Sequence, residues 1–123
     1  MSITWDAYWE LLRLEYPLFH KNFAAIYDRV RRTPLGTRQK KILEYTQLCH
    51  AVNVAAALYF RKVLCLQRSA ATACLLKKNG FPAQLVIGVQ QLPFAAHAWV
   101  ELDGAIINDK PYMSEIYSVL ARC

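Results

Sequence analysis

The chain carries the sequence Cys65-Leu66-Gln67-Arg68-Ser69 at the start of a helical pattern. A later run that is typical of a strand reads Ala96-His97-Ala98-Trp99-Val100-Glu101, and a further short apolar run ends in Asn108-Asp109. A thiol, an imidazole and a carboxylate are the groups from which proteins build a cysteine nucleophile site. We therefore predict a catalytic set of Cys65, His97 and Asp109, with the rest of the chain as its scaffold.

Length and composition indicate one globular domain over residues 1–123, with a helical part over 1–61 and a catalytic helix plus sheet over 62–123. The chain has 123 residues, of which 55% are hydrophobic, so it is large enough to bury a core. Its apolar runs are shorter than the roughly 18 residues of a membrane span, and its start lacks the pattern of a signal peptide. We expect a cytoplasmic protein that contacts no membrane.

The cysteines and the charge narrow the classes of partner. The chain has four cysteines and no C-x-x-C pair, so free thiols are expected, with no metal and no cofactor. The net charge is +6. A basic cluster contributes to it and consists of Arg29, Arg31, Arg32, Arg38, Lys40 and Lys41. Such a cluster suits nucleic acid, but no nucleic-acid motif accompanies it. A solvated face, or attraction for an acidic peptide, is the favoured interpretation.

An aromatic stripe runs through the helical pattern of residues 4–31. Its members follow steps of three and four residues: Trp5, Trp9, Leu12, Tyr16, Phe19, Phe23, Ile26 and Val30. We interpret the stripe as a core face packed on the catalytic half. The alternative is that part of it docks a partner, because large rings are favoured at interface centres. Pro17 interrupts the pattern and either kinks one helix or starts a second one.

A second helical pattern covers residues 38 to 61. Its middle, residues 52–60, is apolar on nearly every side and is expected to be deeply buried. The role assigned to Cys65 requires a break in the helix just before it, although neither glycine nor proline marks such a break.

The hydrophobic period then changes from helix to strand. A short helix over residues 66–78 has a face of small residues that allows close packing, and it ends before Gly80. Strands are predicted at 83–90, 94–102 and 105–108, which gives the α+β class with an antiparallel sheet. Residues 112–123 have helical spacing and are expected to cover one edge of the sheet.

The turn at Asp103-Gly104 decides which carboxylate reaches His97. A two-residue turn would set Asp109 opposite Ala98, on the wrong face of the sheet. A three-residue loop over 102–104, with Gly104 in a G1 bulge, pairs His97 directly with Asp109. We predict this loop. The other register brings Asn108 to the His97 face and gives a Cys-His-Asn set.

The predicted roles follow from the chemistry of the three groups. At a helix start, the free N–H groups and the dipole favour the thiolate of Cys65, whose own N–H can bind an oxyanion. His97 would take the thiol proton and later protonate the leaving amine. Asp109 would orient the imidazole, and a thioester would form and be hydrolysed.

Other polar residues near the predicted site receive lesser roles. Tyr59 and Gln67 are candidates for the second oxyanion donor. Ser69 is interpreted as a packing residue because no G-x-S-x-G elbow surrounds it. Cys74 and Cys123 are interpreted as structural.

The motif pieces together resemble the transglutaminase-like cysteine proteases that cut leader peptides in lasso peptide biosynthesis. The resemblance rests on Cys65-x-x-Arg68-Ser69, on the strand around His97 and on Asn108-Asp109, and it covers most of residues 59–109. It implies a reduced papain-like or transglutaminase-like core, with N-terminal helices packed on a small antiparallel sheet. It also implies the catalytic set of Cys65, His97 and Asp109.

The same resemblance implies a cysteine endopeptidase that cuts a ribosomally made precursor peptide between leader and core. The chain looks like the stand-alone protease of split systems, in which a separate leader-recognition protein (a RiPP recognition element) presents the precursor. The family typically favours threonine just before the last leader residue. The lasso cyclase is a further candidate partner. Two alternatives stay open: acyl transfer to an amine by a transglutaminase or amidase of the same fold, and a peptide-binding adaptor without catalysis.

Overall fold

The computed structural model describes residues 3–19, 22–36, 45–60, 62–91 and 93–123. Its elements, in chain order, are α1 (Ile3–Phe19), α2 (Phe23–Arg32), α3 (Tyr45–Leu58), α4 (Cys65–Lys78), β1 (Ala83–Gln91), β2 (Phe94–Leu102), β3 (Ala105–Ile106), α5 (Met113–Ile116) and β4 (Ser118–Arg122). Pro17 lies inside α1, and a separate helix α2 follows. The start predicted for the second helical pattern, and Arg38, Lys40 and Lys41 of the basic cluster, lie outside the described residues.

Helix α4 lies at the centre of the fold. It contacts α1, α2 and α3, and it also contacts β1 and β2 of the sheet. Residues 69–74 of α4 are all buried, and all of them are small. Small side chains let both layers approach the helix closely, so the predicted small-residue face is confirmed. The predicted end is confirmed as well, since α4 stops at Lys78 and Gly80 follows with a φ of 86°.

The strands form an antiparallel sheet that packs on α4 and has the order β3-β2-β1-β4. One face of the sheet contributes to the main core through Ala83, Leu85, Ala98, Val100 and Leu102. The opposite face carries a smaller cluster of Val86, Trp99 and Met113. Helices followed by an antiparallel sheet confirm the predicted α+β class.

The aromatic stripe is mostly exposed, so its interpretation as a core face was wrong for α1. Trp5, Trp9 and Tyr16 are 63%, 56% and 73% exposed. Helix α1 instead buries a neighbouring face of smaller side chains: Ala7, Leu11 and Leu14. Close contact of α1 with α3 and α4 favours these smaller groups, because they allow the helix axes to approach. Among the stripe residues whose side-chain burial is described, Ile26 and Val30 in α2 are the fully buried ones.

The region before the catalytic helix was predicted correctly in one respect and wrongly in another. Helix α3 ends at Leu58 and α4 begins at Cys65, so the break is confirmed. Deep burial of residues 52–60 is confirmed for Val52, Ala55 and Tyr59, but it was wrong for Leu58 and Phe60, which are 69% and 64% exposed. Helix α3 contacts α1 and α4, and the residues that it buries are Leu48, Cys49, Ala51, Val52 and Ala55.

The final segment covers a sheet edge as expected, but as a strand and not as a helix. Residues 113–116 are helical, and Ser118–Arg122 then pairs with β1 as β4. The open edge of β1 supplies hydrogen bonds that override the helical spacing, and beyond β4 the Cys123 N–H donates to the Leu85 carbonyl at 2.9 Å. None of the helices in the described ranges is both long and apolar enough to cross a membrane.

Gly88 makes room for the rings on the outer face of the sheet. It lies opposite His97 in the β1–β2 ladder. A Cβ atom on Gly88 would lie 2.6 Å from the ring of Trp99 and 2.8 Å from Cβ of Tyr117. Trp99 is fully buried and cannot move aside easily. A glycine inside a strand commonly marks such a close approach.

We expect Gly88→Ala to lower the free energy of unfolding by about 1–3 kcal/mol, because the added methyl group overpacks the ring cluster. Urea unfolding followed by circular dichroism measures this loss. Gly104→Asn is the matched control, because nothing lies within 4 Å of a Cβ at Gly104 and asparagine tolerates its φ of 82°. Equal losses in the two variants would contradict an origin in crowding.

Candidate active site

Cys65 is the first residue of α4. The residue before it, Leu64, has an extended backbone and makes no side-chain capping bond. The Leu64 carbonyl accepts the first helical hydrogen bond, from the Arg68 N–H at 2.9 Å. Helix geometry leaves the N–H groups of Cys65, Leu66 and Gln67 without partners inside the helix. The partly buried, free thiol of Cys65 therefore lies at the positive end of the helix dipole.

A cavity of about 280 Å³ lies between the start of α4 and β2. It is lined by Phe23, Cys65, Leu66, Ile87, Ala96, His97 and Ala98. Cys65 and His97 are the polar members of this lining, and the remaining members are apolar. Both residues line this cavity, but within the described part of the chain no hydrogen bond joins the Cys65 thiol to His97. The imidazole lies on the outer face of the sheet with the rings of Trp99 and Tyr117, whereas α4 packs on the opposite face.

His97 and Asp109 are in direct contact. The Nε2 atom of His97 lies 2.6 Å from Oδ2 of Asp109, and both side chains are mostly buried. The ring of Tyr117 stacks on the imidazole at a centroid distance of 5.6 Å and an interplanar angle of 23°. The ring orientation is thus held by a carboxylate and by an aromatic neighbour. Because Nε2 is engaged by Asp109, Nδ1 is the nitrogen that remains for proton transfer.

The charge on Asp109 is favoured by its surroundings. Partial burial opposes this charge, but the hydrogen bond with His97 and the bond from the Lys110 N–H to Oδ1 at 2.8 Å favour it. The electrostatic interactions of Asp109 with His97 and Arg68 act in the same direction. Together these interactions hold the pKa of Asp109 below its usual range.

The predicted route from β2 to Asp109 was wrong, although the contact itself is present. The β2–β3 ladder pairs Leu102 with Ala105, so the turn has two residues and not three. Asp103 and Gly104 both have positive φ values, of 53° and 82°, as a type I′ turn requires. This turn is favoured because its twist matches that of the strands, and it needs no bulge.

A bend after β3 explains how Asp109 still reaches His97. In a continued strand of this register, Asn108 would share the face of His97 and Asp109 would face α4. The strand ends at Ile106, however, and residues 108–109 form a bend. The side chain of Asn108 then turns towards α4, where it donates to Ser69 Oγ at 3.0 Å. Asp109 takes the position beside His97, so the alternative Cys-His-Asn set does not describe this geometry.

Neither candidate for the second oxyanion donor faces Cys65. The Gln67 amide donates to the Leu11 carbonyl at 3.0 Å and to Glu15 at 3.3 Å. The Tyr59 hydroxyl donates to Glu15 at 2.9 Å, and burial together with this bond raises the pKa of Tyr59. Both side chains tie their elements to α1, so the prediction for them was wrong. The sequence could not reveal that the backbone of α1 and Glu15 would compete for these donors.

Two contributors to the site were missed in the sequence. Tyr117 stacks on His97 from the segment that was predicted to be helical. Gly88 opposite His97 was read only as part of a strand, although an isolated glycine there is the signal that could have revealed a close contact. The interpretation of Ser69 as structural agrees with its burial and with its hydrogen bond to the Ala98 carbonyl at 3.0 Å.

We expect iodoacetamide to modify Cys65 before the other three cysteines near neutral pH. Burial raises the pKa of Cys49 to about 11 and also raises the pKa values of Cys74 and Cys123. These thiols therefore stay protonated and unreactive, whereas Cys65 opens into the cavity. Peptide mapping by mass spectrometry after one equivalent of reagent gives the order. Preferential labelling of Cys49 or Cys74 would contradict this expectation.

We expect Asp109→Asn to lower the free energy of unfolding by about 1 kcal/mol near pH 6. A folded-state pKa below the unfolded value stabilises the protein above the unfolded pKa, and the stabilisation is lost as pH falls through the folded pKa. The difference from wild type should therefore shrink below about pH 4. Urea unfolding at a series of pH values measures it. Asp103→Asn is the control for the loss of one carboxylate, and a difference for Asp109→Asn that persisted at low pH would argue against the proposed charge effect.

Comparison with known proteins adds an independent finding. The family model of the transglutaminase-like superfamily matches residues 10–122 of the chain. The microcin J25-processing protein McjB of Escherichia coli is 46% identical over 58 residues, which are 47% of this chain and 28% of that protein. The chain thus covers little more than a quarter of this relative's length. No solved structure matches the chain. Because the family model spans most of the chain, the protein belongs to the transglutaminase-like superfamily.

Proposed function

We propose that the protein is a cysteine protease that removes the leader peptide from a lasso peptide precursor. The observation that carries the proposal is the cavity lined by both Cys65 and His97, with Asp109 at 2.6 Å from the imidazole. Membership of the transglutaminase-like superfamily supports thiol chemistry on a carbonyl group. The similarity to a protein named for the processing of microcin J25 supports a peptide precursor as the substrate.

The proposed reaction uses each group of the site once in each half. Nδ1 of His97 takes the proton of the Cys65 thiol, and the sulfur attacks the carbonyl carbon of the scissile peptide bond. The backbone N–H of Cys65 donates to the developing oxyanion. His97 then protonates the leaving amine, and the carbon–nitrogen bond breaks to leave a thioester. Water, deprotonated by His97, hydrolyses the thioester and restores the thiol.

Asp109 acts throughout on the imidazole. Its carboxylate accepts the hydrogen bond from Nε2, which keeps the proton on this nitrogen and leaves Nδ1 free in the neutral ring. When the ring becomes charged, the same carboxylate stabilises the imidazolium. The stacked ring of Tyr117 limits rotation of the imidazole.

An open edge of the sheet supports a peptide as the substrate. On the edge of β2 that lies away from β1, the ladder within the described residues pairs only Glu101 and Leu102 with β3. On this side Val100 already bonds to the Ile107 N–H and to the Asn108 side chain. By the alternation of an antiparallel strand, Ala96 directs its N–H and C=O groups to the same side, beyond these bonds. Ala96 is exposed and lines the cavity with Cys65. An extended peptide could pair with this edge and present its backbone carbonyl to the thiol.

The proposal extends to partners and location. A separate leader-recognition protein would hold the leader and present the precursor, and a lasso cyclase would act on the released core. The reaction would take place in the cytoplasm. The positive charge of the chain, including exposed Arg29, Arg31 and Arg32 in α2, would attract an acidic segment of peptide or partner.

We expect Cys65→Ala and His97→Ala to reduce leader cleavage by at least about 1000-fold, and Asp109→Ala by about 100-fold to 10,000-fold. Each variant removes a group that acts in bond breaking. A lasso precursor peptide is incubated with the full chain and its recognition protein, and mass spectrometry follows the products. Hydrolysis is the expected result. The leader fragment then ends in a free carboxylate, the core fragment begins with a free amine, and their masses sum to that of the precursor plus one water.

Cys49→Ala is the matched control, because it removes a buried thiol outside the cavity and should leave cleavage near the wild-type rate. An adduct with an added amine in place of hydrolysis would identify acyl transfer, the alternative that the family name itself raises. Precursor that binds but stays intact with the wild-type protein would identify an adaptor. Full cleavage by Cys65→Ala would refute the proposed nucleophile.

A further inference from the structure

The side chain of Asn108 replaces a main-chain group in the β2–β3 ladder. Ile107 N–H donates to the Val100 carbonyl at 3.0 Å, which is one half of an antiparallel pair. The other half would be a bond from the Val100 N–H to the Ile107 carbonyl. The Val100 N–H donates instead to Oδ1 of Asn108, at 2.7 Å. The ladder thus ends on a side chain, and the backbone is free to bend after Ile107.

A short chain of hydrogen bonds continues from Asn108 into α4. Nδ2 of Asn108 donates to Ser69 Oγ at 3.0 Å, and Ser69 Oγ donates to the Ala98 carbonyl at 3.0 Å. Ser69 is fully buried and lies one helical turn after Cys65. Ala98 directly follows His97. These bonds therefore connect the helix that carries the thiol, the strand that carries the imidazole and the bend that carries Asp109.

We propose that Asn108, together with Ser69, is a positioning residue that fixes the bend after β3 and so directs Asp109 onto His97. The inference rests on the proposed function, because it assigns a role within that site. Asn108 itself contacts neither the thiol nor the imidazole by any described hydrogen bond. It acts through Asp109, whose contact with His97 at 2.6 Å depends on the direction in which the backbone leaves β3.

The chemistry of this position favours asparagine. One oxygen must accept from the Val100 N–H, and one nitrogen must donate to Ser69 Oγ. A primary amide offers both groups at the required separation, whereas an aspartate offers only acceptors and alanine offers neither. Because the Val100 N–H would be left without a partner, a substitution also exposes a buried donor and shifts the backbone. A displacement of about 1 Å at a catalytic group can lower a rate about 100-fold.

The test compares Asn108→Ala, Asp109→Ala and the double variant of the full chain. Iodoacetamide is the probe, and the rate of Cys65 modification is measured from pH 5 to pH 9 by mass spectrometry. We expect both single variants to displace the pH profile in the same direction, by about one pH unit, because each removes the support of the imidazole. The double variant should match Asp109→Ala, since Asn108 acts only through Asp109. Cleavage of a lasso precursor should show the same non-additivity in kcat, with KM changed less than about twofold.

Asn79→Ala is the matched control. Its side chain also donates to a backbone carbonyl, that of Leu75 at 2.8 Å, but it lies at the other end of α4. This variant should keep the wild-type profile. Asn108→Asp and Ser69→Ala each keep part of the network, so they provide folded variants with smaller displacements if Asn108→Ala unfolds. Near-ultraviolet circular dichroism from the buried ring of Trp99 reports on folding in each case.

Three results would overturn the inference. The first is a wild-type profile in Asn108→Ala beside a displaced profile in Asp109→Ala. The second is a double variant whose displacement equals the sum of the single effects, since independent structural damage is additive. The third is an Asp109→Ala variant with the wild-type profile, which rejects the proposed catalytic set and the positioning role that rests on it. The first two leave the proposed function standing.

Discussion

The close packing of α4 between helices and sheet is the constraint on which the rest of the structure depends. Residues 69–74 carry small side chains, none larger than those of Thr72 and Cys74, so the sheet can pack closely against the helix. This approach brings the start of α4 to β2, where Cys65 and His97 line one cavity. The same approach lets the buried hydroxyl of Ser69 bond to the Ala98 carbonyl, which fixes the helix against the strand. Core packing and the geometry of the site therefore have a common origin.

The contact between Asp109 and His97 depends on where strand β3 ends. The two-residue turn at Asp103-Gly104 alone would send Asp109 to the helix side of the sheet. The early end of β3 reverses the alternation of side chains, so that Asn108 faces α4 and Asp109 faces the imidazole. A loss of regular pairing at an edge thus creates a contact that regular pairing would forbid. Edges of sheets commonly hold such irregularities beside functional groups.

The sequence predicted what local signals and residue chemistry determine. The helix with small residues, the strands β1 and β2, the turn residues and the identities of the polar groups around the cavity follow from spacing and composition. The predicted register was wrong because Asp103 and Gly104 form a two-residue turn. The bend that follows depends on the Val100 N–H donating to Oδ1 of Asn108, and such tertiary bonds leave no periodic trace in the sequence. The interpretation of the aromatic stripe as a core face was also wrong because of tertiary contacts. Trp5 and Trp9 have the spacing of a buried face, but Ala7 and Leu11 are buried in their place because they allow closer helix contact. Gln67 was misread because α1 supplies its partners from a distant part of the chain.

The open outer edge of β2 has a consequence for the behaviour of the protein in concentrated solution. Residues 94–102 contain no lysine, arginine or proline, the residues that usually protect such an edge from other chains. Phe94 is 77% exposed at its end. The edge can therefore pair with the same edge of a second copy, which would cover the mouth of the cavity. Self-association of this kind would compete with any peptide for the same hydrogen bonds. The specific activity of the protein would therefore fall as the protein concentration rises.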